Sequence, residues 1–165
     1  MAAGATYTSI ASQTLTSAAS SITFSSISGA YTDLILITNP SSTTDPQGIY
    51  IQFNSDTGTN YSRTVLYGDG TNASSGRDST YNYIRMGYNT GNRTANITQI
   101  QNYSNATAYK STLSRSNTYA GSAGYVYASV GLWRSTSAIT SLLVGVDSGT
   151  FATGSTFSLY GIAAA

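Results

Sequence analysis

Side chains able to do covalent or acid–base chemistry are scarce in this sequence. The chain has 165 residues and contains no histidine, no cysteine and no glutamate. A serine nucleophile needs a neighbouring base, usually an imidazole. The single lysine, Lys110, stands in "AYKSTL", which lacks the pattern of a serine–lysine site. We therefore predict that the chain is not an enzyme and has no catalytic residues.

The six aspartates are the remaining candidates for acid–base or metal chemistry. Two carboxylates about 5–10 Å apart could hydrolyse a glycoside. The aspartates, however, stand in turn sequences such as "NSDTG" and "YGDGTN", where the side chain usually accepts hydrogen bonds from its own turn. "GDGTN" has neither the twelve-residue spacing nor the closing glutamate of a calcium loop. We expect no resident metal and no cofactor.

The charge content argues against nucleic acid and membrane partners. Charged residues make up 8% of the chain, against about 25% in an ordinary soluble domain, and the net charge is +1. No apolar run approaches the roughly 20 residues that span a bilayer. The start, "MAAGATYTSIASQ", lacks the features of a signal peptide, so we expect synthesis in a cytoplasm. So few charges suggest that much of the surface faces another protein.

Apolar residues recur with a period of two, which predicts half-buried strands. "GIYIQFN" places Ile49, Ile51 and Phe53 on one face. The segments "SITFSSI" (21–27) and "YNYIRMG" (81–87) point Ile22, Phe24, Ile84 and Met86 inward. In "YVYASVGLW" the aliphatic set is Val126, Ala128, Val130 and Leu132, and the opposite set is Tyr125, Tyr127, Ser129 and Trp133. We assign the aromatic set to the surface.

Composition also ranks the strands by their position in a sheet. "DLILIT" (33–38) and "AITSLLVGV" (138–146) are apolar on both faces, as in central strands covered on both sides. "TANITQIQNY" (94–103) and "AYKSTLSRSNT" (108–118) are polar enough for outer strands. "GSTFSLYGI" (154–162) is a good strand that would complete a sheet, and 68–79 is assigned to a turn.

These patterns predict an all-β fold. Eight to ten short strands separated by turn clusters are typical of an antiparallel β-sandwich of the jelly-roll type. Composition does not change along the chain, so we expect a single domain over 21–165. Residues 1–20 form either an extended N-terminal arm or a first strand.

Three segments resemble parts of tailed-bacteriophage virion proteins. They are "SITFSSISGAYTDLILI" (21–37), "GLWRSTSAITSLLV" (131–144) and "GSTFSLYGI" (154–162). The resemblance implies a jelly-roll or related β-sandwich, usually trimeric, assembled on a virion, with no enzymatic activity. The positions that match the shared pattern, most simply fold-keeping ones, are Tyr31, Asp33, Gly131, Trp133, Phe157, Leu159, Tyr160 and Gly161.

Two roles follow from this resemblance. The first is a capsid decoration (cement) protein, a homotrimer that binds the major capsid protein on the outside of the shell. Its expected contact residues are Tyr7, Ile10, Leu15, Tyr125, Tyr127 and Trp133. The alternative is the receptor-binding tip of a tail fibre, attached to a tail protein. Its expected glycan-contact residues are Tyr81, Tyr83, Arg85, Tyr88 and Arg93. A lectin module outside any virion is a third hypothesis.

Overall fold

Strands with alternating side chains form two antiparallel sheets that pack face to face. The computed structural model describes residues 6–44, 47–120 and 123–162. Within these ranges the strands are β1 (Tyr7–Thr14), β2 (Ser21–Phe24), β3 (Asp33–Asn39), β4 (Gln47–Phe53), β5 (Tyr61–Gly68), β6 (Ala73–Tyr81), β7 (Ile84–Asn89), β8 (Asn96–Gln101), β9 (Lys110–Ala120), β10 (Ala123–Trp133), β11 (Leu142–Val146) and β12 (Thr156–Ile162). The predicted all-β sandwich is confirmed.

The chain alternates between the two sheets. The large sheet has eight strands in the order β1-β12-β3-β8-β9-β10-β5-β6, and the small sheet has four in the order β2-β11-β4-β7. Successive strands from β2 to β5 switch sheet each time, and the chain switches again around β7 and around β11. This is jelly-roll connectivity, in which β8, β9 and β10 form a meander inside the large sheet. No helix long and apolar enough to cross a membrane occurs in the described ranges.

The core lies between the sheets and follows the predicted alternation in most strands. Ile49, Ile51 and Phe53 are fully buried. The predicted inward residues Ile22, Phe24, Ile84 and Met86 are also buried. Burial of each such side chain stabilises the fold by about 1.5–3 kcal/mol.

The C-terminal strand is an interior strand of the large sheet. β12 pairs with β3 on one side and with β1 on the other. Residues 7–14 therefore form a first strand within the chain's own sheet, whereas Met1–Ala5 lie outside the described residues. Gly161 allows the ring of Tyr31 to lie directly over β12, because a Cβ there would meet that ring.

The prediction that the segments of β8 and β9 are outer strands is wrong. Both strands are central in the large sheet, between β3 and β10. Their small polar side chains point into the sandwich, where Thr98 donates a hydrogen bond to Ser114 Oγ over 2.9 Å. Small hydroxyl side chains at these positions let β7 of the small sheet approach closely. The expected turn over 68–79 is also wrong, since it contains most of β6.

The one tryptophan joins the core to a turn. Trp133 is 2% exposed and packs against the rings of Phe53 and Tyr61. Its Nε1 donates a hydrogen bond to Asp56 Oδ2 over 2.7 Å. Burial by itself raises the pKa of Asp56, but the hydrogen bonds from Trp133, Asn60 and Gly58 together lower that pKa below its ordinary value. The expectation that Trp133 lies on a contact surface is wrong, because its ring fills the core.

Replacement of Gly131 by alanine should destabilise the protein. An added Cβ would lie 2.5 Å from Ile84 Cγ2 and 2.6 Å from Thr112 Oγ1, between the two sheets. We expect Gly131→Ala to lower the free energy of unfolding by about 1–3 kcal/mol, measured by urea denaturation. Gly124→Ala on the same strand is the control, because its Cβ would meet no atom closer than 3.8 Å. Equal effects of the two substitutions would contradict the close approach.

The Asp56 carboxylate should make stability depend on acid pH. Because folding lowers its pKa from 3.8, its contribution is fully present above that value and is lost as pH falls through the lowered pKa. The difference in unfolding free energy between wild type and Asp56→Asn should therefore be largest at neutral pH and shrink below about pH 3.8. Trp133→Phe removes one donor and should weaken this dependence. Parallel pH profiles for wild type and Asp56→Asn would refute the assignment.

Candidate functional site

The outward side of β10 is aliphatic. Val126 is 65% exposed and Val130 is 56% exposed, whereas Ser129 on the opposite side is 1% exposed. The predicted alternation is present, but the prediction that the aromatic set faces outward is wrong. On the inward side of β10, only small residues fit where β7 approaches, and the ring of Trp133 fills the core. The valines therefore lie on the outward side.

The same arrangement continues across neighbouring strands and forms a broad apolar surface. Cross-strand pairing places Leu66, Ala128, Arg115, Ile97 and Ile37 in one row over five strands. We define the outer-sheet face as the outward side of the large sheet carrying Ile35, Ile37, Leu66, Ile97, Leu113, Arg115, Val126 and Val130. Exposed apolar surface of this extent usually marks a contact with another molecule.

Two shallow hollows give the outer-sheet face its relief. One, of about 540 Å³, is lined by residues of β1, β12, β3, β8 and β9, including Tyr7 and Tyr160. The other, of about 820 Å³, is lined mainly by residues of β5, β6, β9 and β10, including Leu66 and Val126. Ile97 and Arg115 border both hollows. The two hollows therefore lie next to each other on the outer-sheet face.

A second candidate surface lies on the outer side of the small sheet. We define the tyrosine–arginine cluster as Tyr50, Tyr81, Tyr83, Arg85, Tyr88 and Asp147. Tyr50 and Tyr83 stack with ring centroids 4.4 Å apart, and the Arg85 guanidinium lies 5.8 Å and 5.5 Å from the ring centroids of Tyr83 and Tyr88. Arg85 also forms an ion pair with Asp147.

Two glycines make room for this cluster. A Cβ at Gly48 would meet the Asp147 carboxylate and would lie 2.5 Å from Arg85 Nε, so the ion pair crosses directly over Gly48. A Cβ at Gly145 would meet the ring of Tyr50. Burial alone lowers the pKa of Arg85, but Asp147, Tyr88 and Tyr83 raise it overall, so the guanidinium stays charged.

Further tyrosines extend the cluster around the edge of β7. The rings of Tyr88 and Tyr127 lie 5.4 Å apart, and Tyr67 and Tyr125 stack on Tyr127 at 5.9 Å and 6.3 Å. Burial, together with Tyr88, Tyr125 and Tyr67, raises the pKa of Tyr127 to about 12. The Tyr127 hydroxyl is therefore neutral at physiological pH. We call Tyr67, Tyr88, Tyr125 and Tyr127 the tyrosine array. Because these rings pack largely against one another, the tyrosine array rigidifies this side of the sandwich.

The structure separates the residues expected to act together. Tyr81, Tyr83, Arg85 and Tyr88 lie in one cluster, but Arg93 lies elsewhere. Arg93 donates hydrogen bonds to the backbone oxygens of Asn39 over 3.2 Å and Gly154 over 2.7 Å. The glycan-contact set is therefore corrected by the removal of Arg93.

The other expected contact set is also divided. Tyr7 is exposed and borders the outer-sheet face. Ile10 and Leu15 pack against the core, so their assignment as anchors is wrong. Ile10 lies in β1, which pairs with β12, and the backbone of Leu15 bonds to Gly154 and Ser155, so both residues are held within their own subunit. Tyr125 and Tyr127 belong to the tyrosine array and are half-buried.

Leu66, Ile97 and Leu113 are surface residues that the sequence reasoning did not single out. A signal was present, because in β8 and β9 the isolated aliphatic residues alternate with serine, threonine and asparagine. The polarity of these segments predicts outer strands. It equally fits a central strand whose polar side is buried.

Acid–base and metal chemistry find little support in the arrangement of the titratable groups. Lys110 Nζ donates to the backbone oxygens of Ala108 over 2.6 Å and Thr136 over 3.1 Å, and burial lowers its pKa. Over the described ranges, no three aspartates lie close enough to hold a metal ion.

No protein-family model matches the chain, and no curated protein is significantly similar to it.

Gly48→Ala should test the packing of the tyrosine–arginine cluster. An added methyl group must displace Asp147 or Arg85, so the free energy of unfolding should fall by about 1–3 kcal/mol. In an Asp147→Ala background the penalty should be smaller, because the carboxylate that meets the new Cβ is gone. Urea denaturation of the four proteins gives the coupling. Equal penalties in both backgrounds would show that Asp147 is not the obstacle.

Proposed function

We propose that the chain is a structural protein of a tailed-bacteriophage virion, a decoration protein that binds the outer shell as a trimer and stabilises it. The resemblance of 21–37, 131–144 and 154–162 to virion proteins supports this proposal. So does the jelly-roll connectivity, which suits a rigid and repeatedly displayed module.

The observation that carries the proposal is the outer-sheet face. An eight-stranded sheet presents aliphatic side chains to solvent on one side, while its other side covers the core. Such a surface supplies adhesion, and the sequence has no histidine, cysteine or glutamate with which to do chemistry. A module of this kind acts by buried area and shape.

Avidity explains how modest contacts would reinforce a shell. Three subunits held together make the second and third contacts effectively intramolecular, so a trimer binds far more tightly than one subunit. A trimer that spans adjacent capsomers would thereby resist their separation. The expected anchors Ile10 and Leu15 pack against the core of their own subunit, so they do not supply the contact with the shell.

The tyrosine–arginine cluster favours a second candidate, the receptor-binding tip of a tail fibre. Tyr81 is partly exposed beside Tyr83 and Arg85, and such groups stack on sugars and bond to their hydroxyls. Against this candidate, Arg85 is already paired with Asp147 and the rings stack on one another. We therefore rank it below the decoration role.

The copy number per particle tests the proposal. In virions of the phage that encodes the chain, quantitative mass spectrometry should find copies in numbers that scale with the capsomers. Mild heating should release the chain and leave shells that lose their DNA at a lower temperature. A few copies lost together with the tail would favour the second candidate. Absence of the chain from purified particles would refute both virion roles.

A further inference from the structure

We infer that the outer-sheet face is the surface on which another copy of this chain docks. The inference supplies the contact between subunits of the proposed trimer, and in that respect it rests on the proposed function. Three properties of the face argue for it: its inverted polarity, its area and its charge.

The polarity of β9 and of the middle of β10 is inverted relative to a monomeric sandwich. In β9 the buried residues are Thr112, Ser114, Ser116 and Thr118, and the exposed ones include Leu113. In β10, Ser129 is buried while Val130 is exposed. A strand covered on one side normally buries its aliphatic side chains and exposes its hydroxyls. The observed distribution fits a sheet whose outward side is covered as well.

The face supplies a large part of the area that a stable contact between proteins needs. The five strands that carry its residues, about 4.8 Å apart, span roughly 24 Å, and the rows between Val126 and Leu132 cover about 20 Å along them, so the flat footprint is on the order of 480 Å². A standard interface buries about 800 Å² of accessible surface on each partner. Side-chain relief makes the accessible area larger than the flat footprint, and Tyr7 and Tyr160 adjoin the face. The face therefore fits a protein partner better than a small ligand.

The charges favour a second copy as that partner. Arg115 is the charged residue near the middle of the face, whereas Asp33 and Arg77 stand towards its ends. Contacts between identical chains are more apolar than transient contacts between different proteins, and the chain itself, with a net charge of +1 and 8% charged residues, offers a weakly charged surface. In the middle of the face, a partner with an acidic patch would meet one cation, Arg115.

Arg115 also limits the symmetry of the contact. A twofold axis through the middle of the face would bring two Arg115 guanidinium groups together, and like charges repel. A cyclic arrangement, in which one region of the face meets a different region of the next copy, keeps them apart. The trimer of the proposed function is the smallest such ring.

Charge substitutions on the face provide the test. The purified full chain should sediment as an oligomer, and the double variant Val126→Lys/Val130→Lys should sediment as a monomer over the same concentration series. We expect its association constant to fall at least about a hundredfold, because two lysines would have to be buried in an apolar contact. Thr23→Lys is the matched control, since Thr23 is an exposed strand residue on the small sheet. Circular dichroism of each variant checks the fold.

Each outcome decides the inference. A monomeric wild type, or an oligomer that Val126→Lys/Val130→Lys leaves intact, overturns it. If the double variant does not fold, Val126→Thr and Leu66→Thr replace it, because both keep a strand-forming side chain while removing apolar surface. An oligomer that dissociates as expected, from a chain absent from virions, would sustain the inference and refute the proposed function. A monomeric chain found in virions at capsomer stoichiometry would overturn the inference and sustain the proposed function.

Discussion

The close approach of β7 to the middle of the large sheet constrains much of this molecule. A Cβ at Gly87 would meet Ser116 and would lie 2.8 Å from Asn96 Oδ1, and a Cβ at Gly131 would meet Ile84. Aliphatic side chains would be too large at the positions that face β7, so serine, threonine, asparagine and glycine occupy them in β8, β9 and β10. Because successive side chains of a strand point to opposite faces, Ile97, Leu113, Val126 and Val130 are directed outward, whereas Ile100 near the C-terminal end of β8 packs in the core.

This arrangement divides the interior into an apolar half and a polar half. Leu34 and Leu36 of β3 and Leu159 of β12 pack in the apolar part of the core. Asn89 and Asn96 lie beside serine and threonine side chains near β7. The side-chain amides of Asn89 and Asn96 have no hydrogen-bond partner among the described residues. Buried polar groups of this kind cost about 1–3 kcal/mol each when left unpaired. The apolar core, which includes Trp133, Phe53 and Tyr61 as well as these leucines, must therefore supply most of the stability of a single chain.

The sequence is sufficient for the fold class and for much of the register. Period-two alternation correctly placed Ile49, Ile51 and Phe53 inside, and the glycine–tyrosine–aspartate stretch before β3 correctly pointed to fold-keeping positions, since Tyr31 covers Gly161. The order of the strands within the sheets does not follow from the sequence, because the polarity of a strand does not measure its distance from the sheet centre. β8 and β9 are polar yet central, because small polar side chains on their inward side face β7 of the opposing sheet.

The sequence predicts the tyrosine–arginine cluster better than the outer-sheet face. Tyr81, Tyr83, Arg85 and Tyr88 lie close together in sequence on and beside one strand, so their proximity follows from local structure. The outer-sheet face is assembled from one or two residues on each of five strands, and each of these residues looks ordinary in its own segment. A period of two predicts which residues share a face of a strand. Which of the two faces meets the core depends on the opposing sheet. In an assembling protein both faces can be covered, and then apolarity alone no longer distinguishes the inside of a subunit from the contact between subunits.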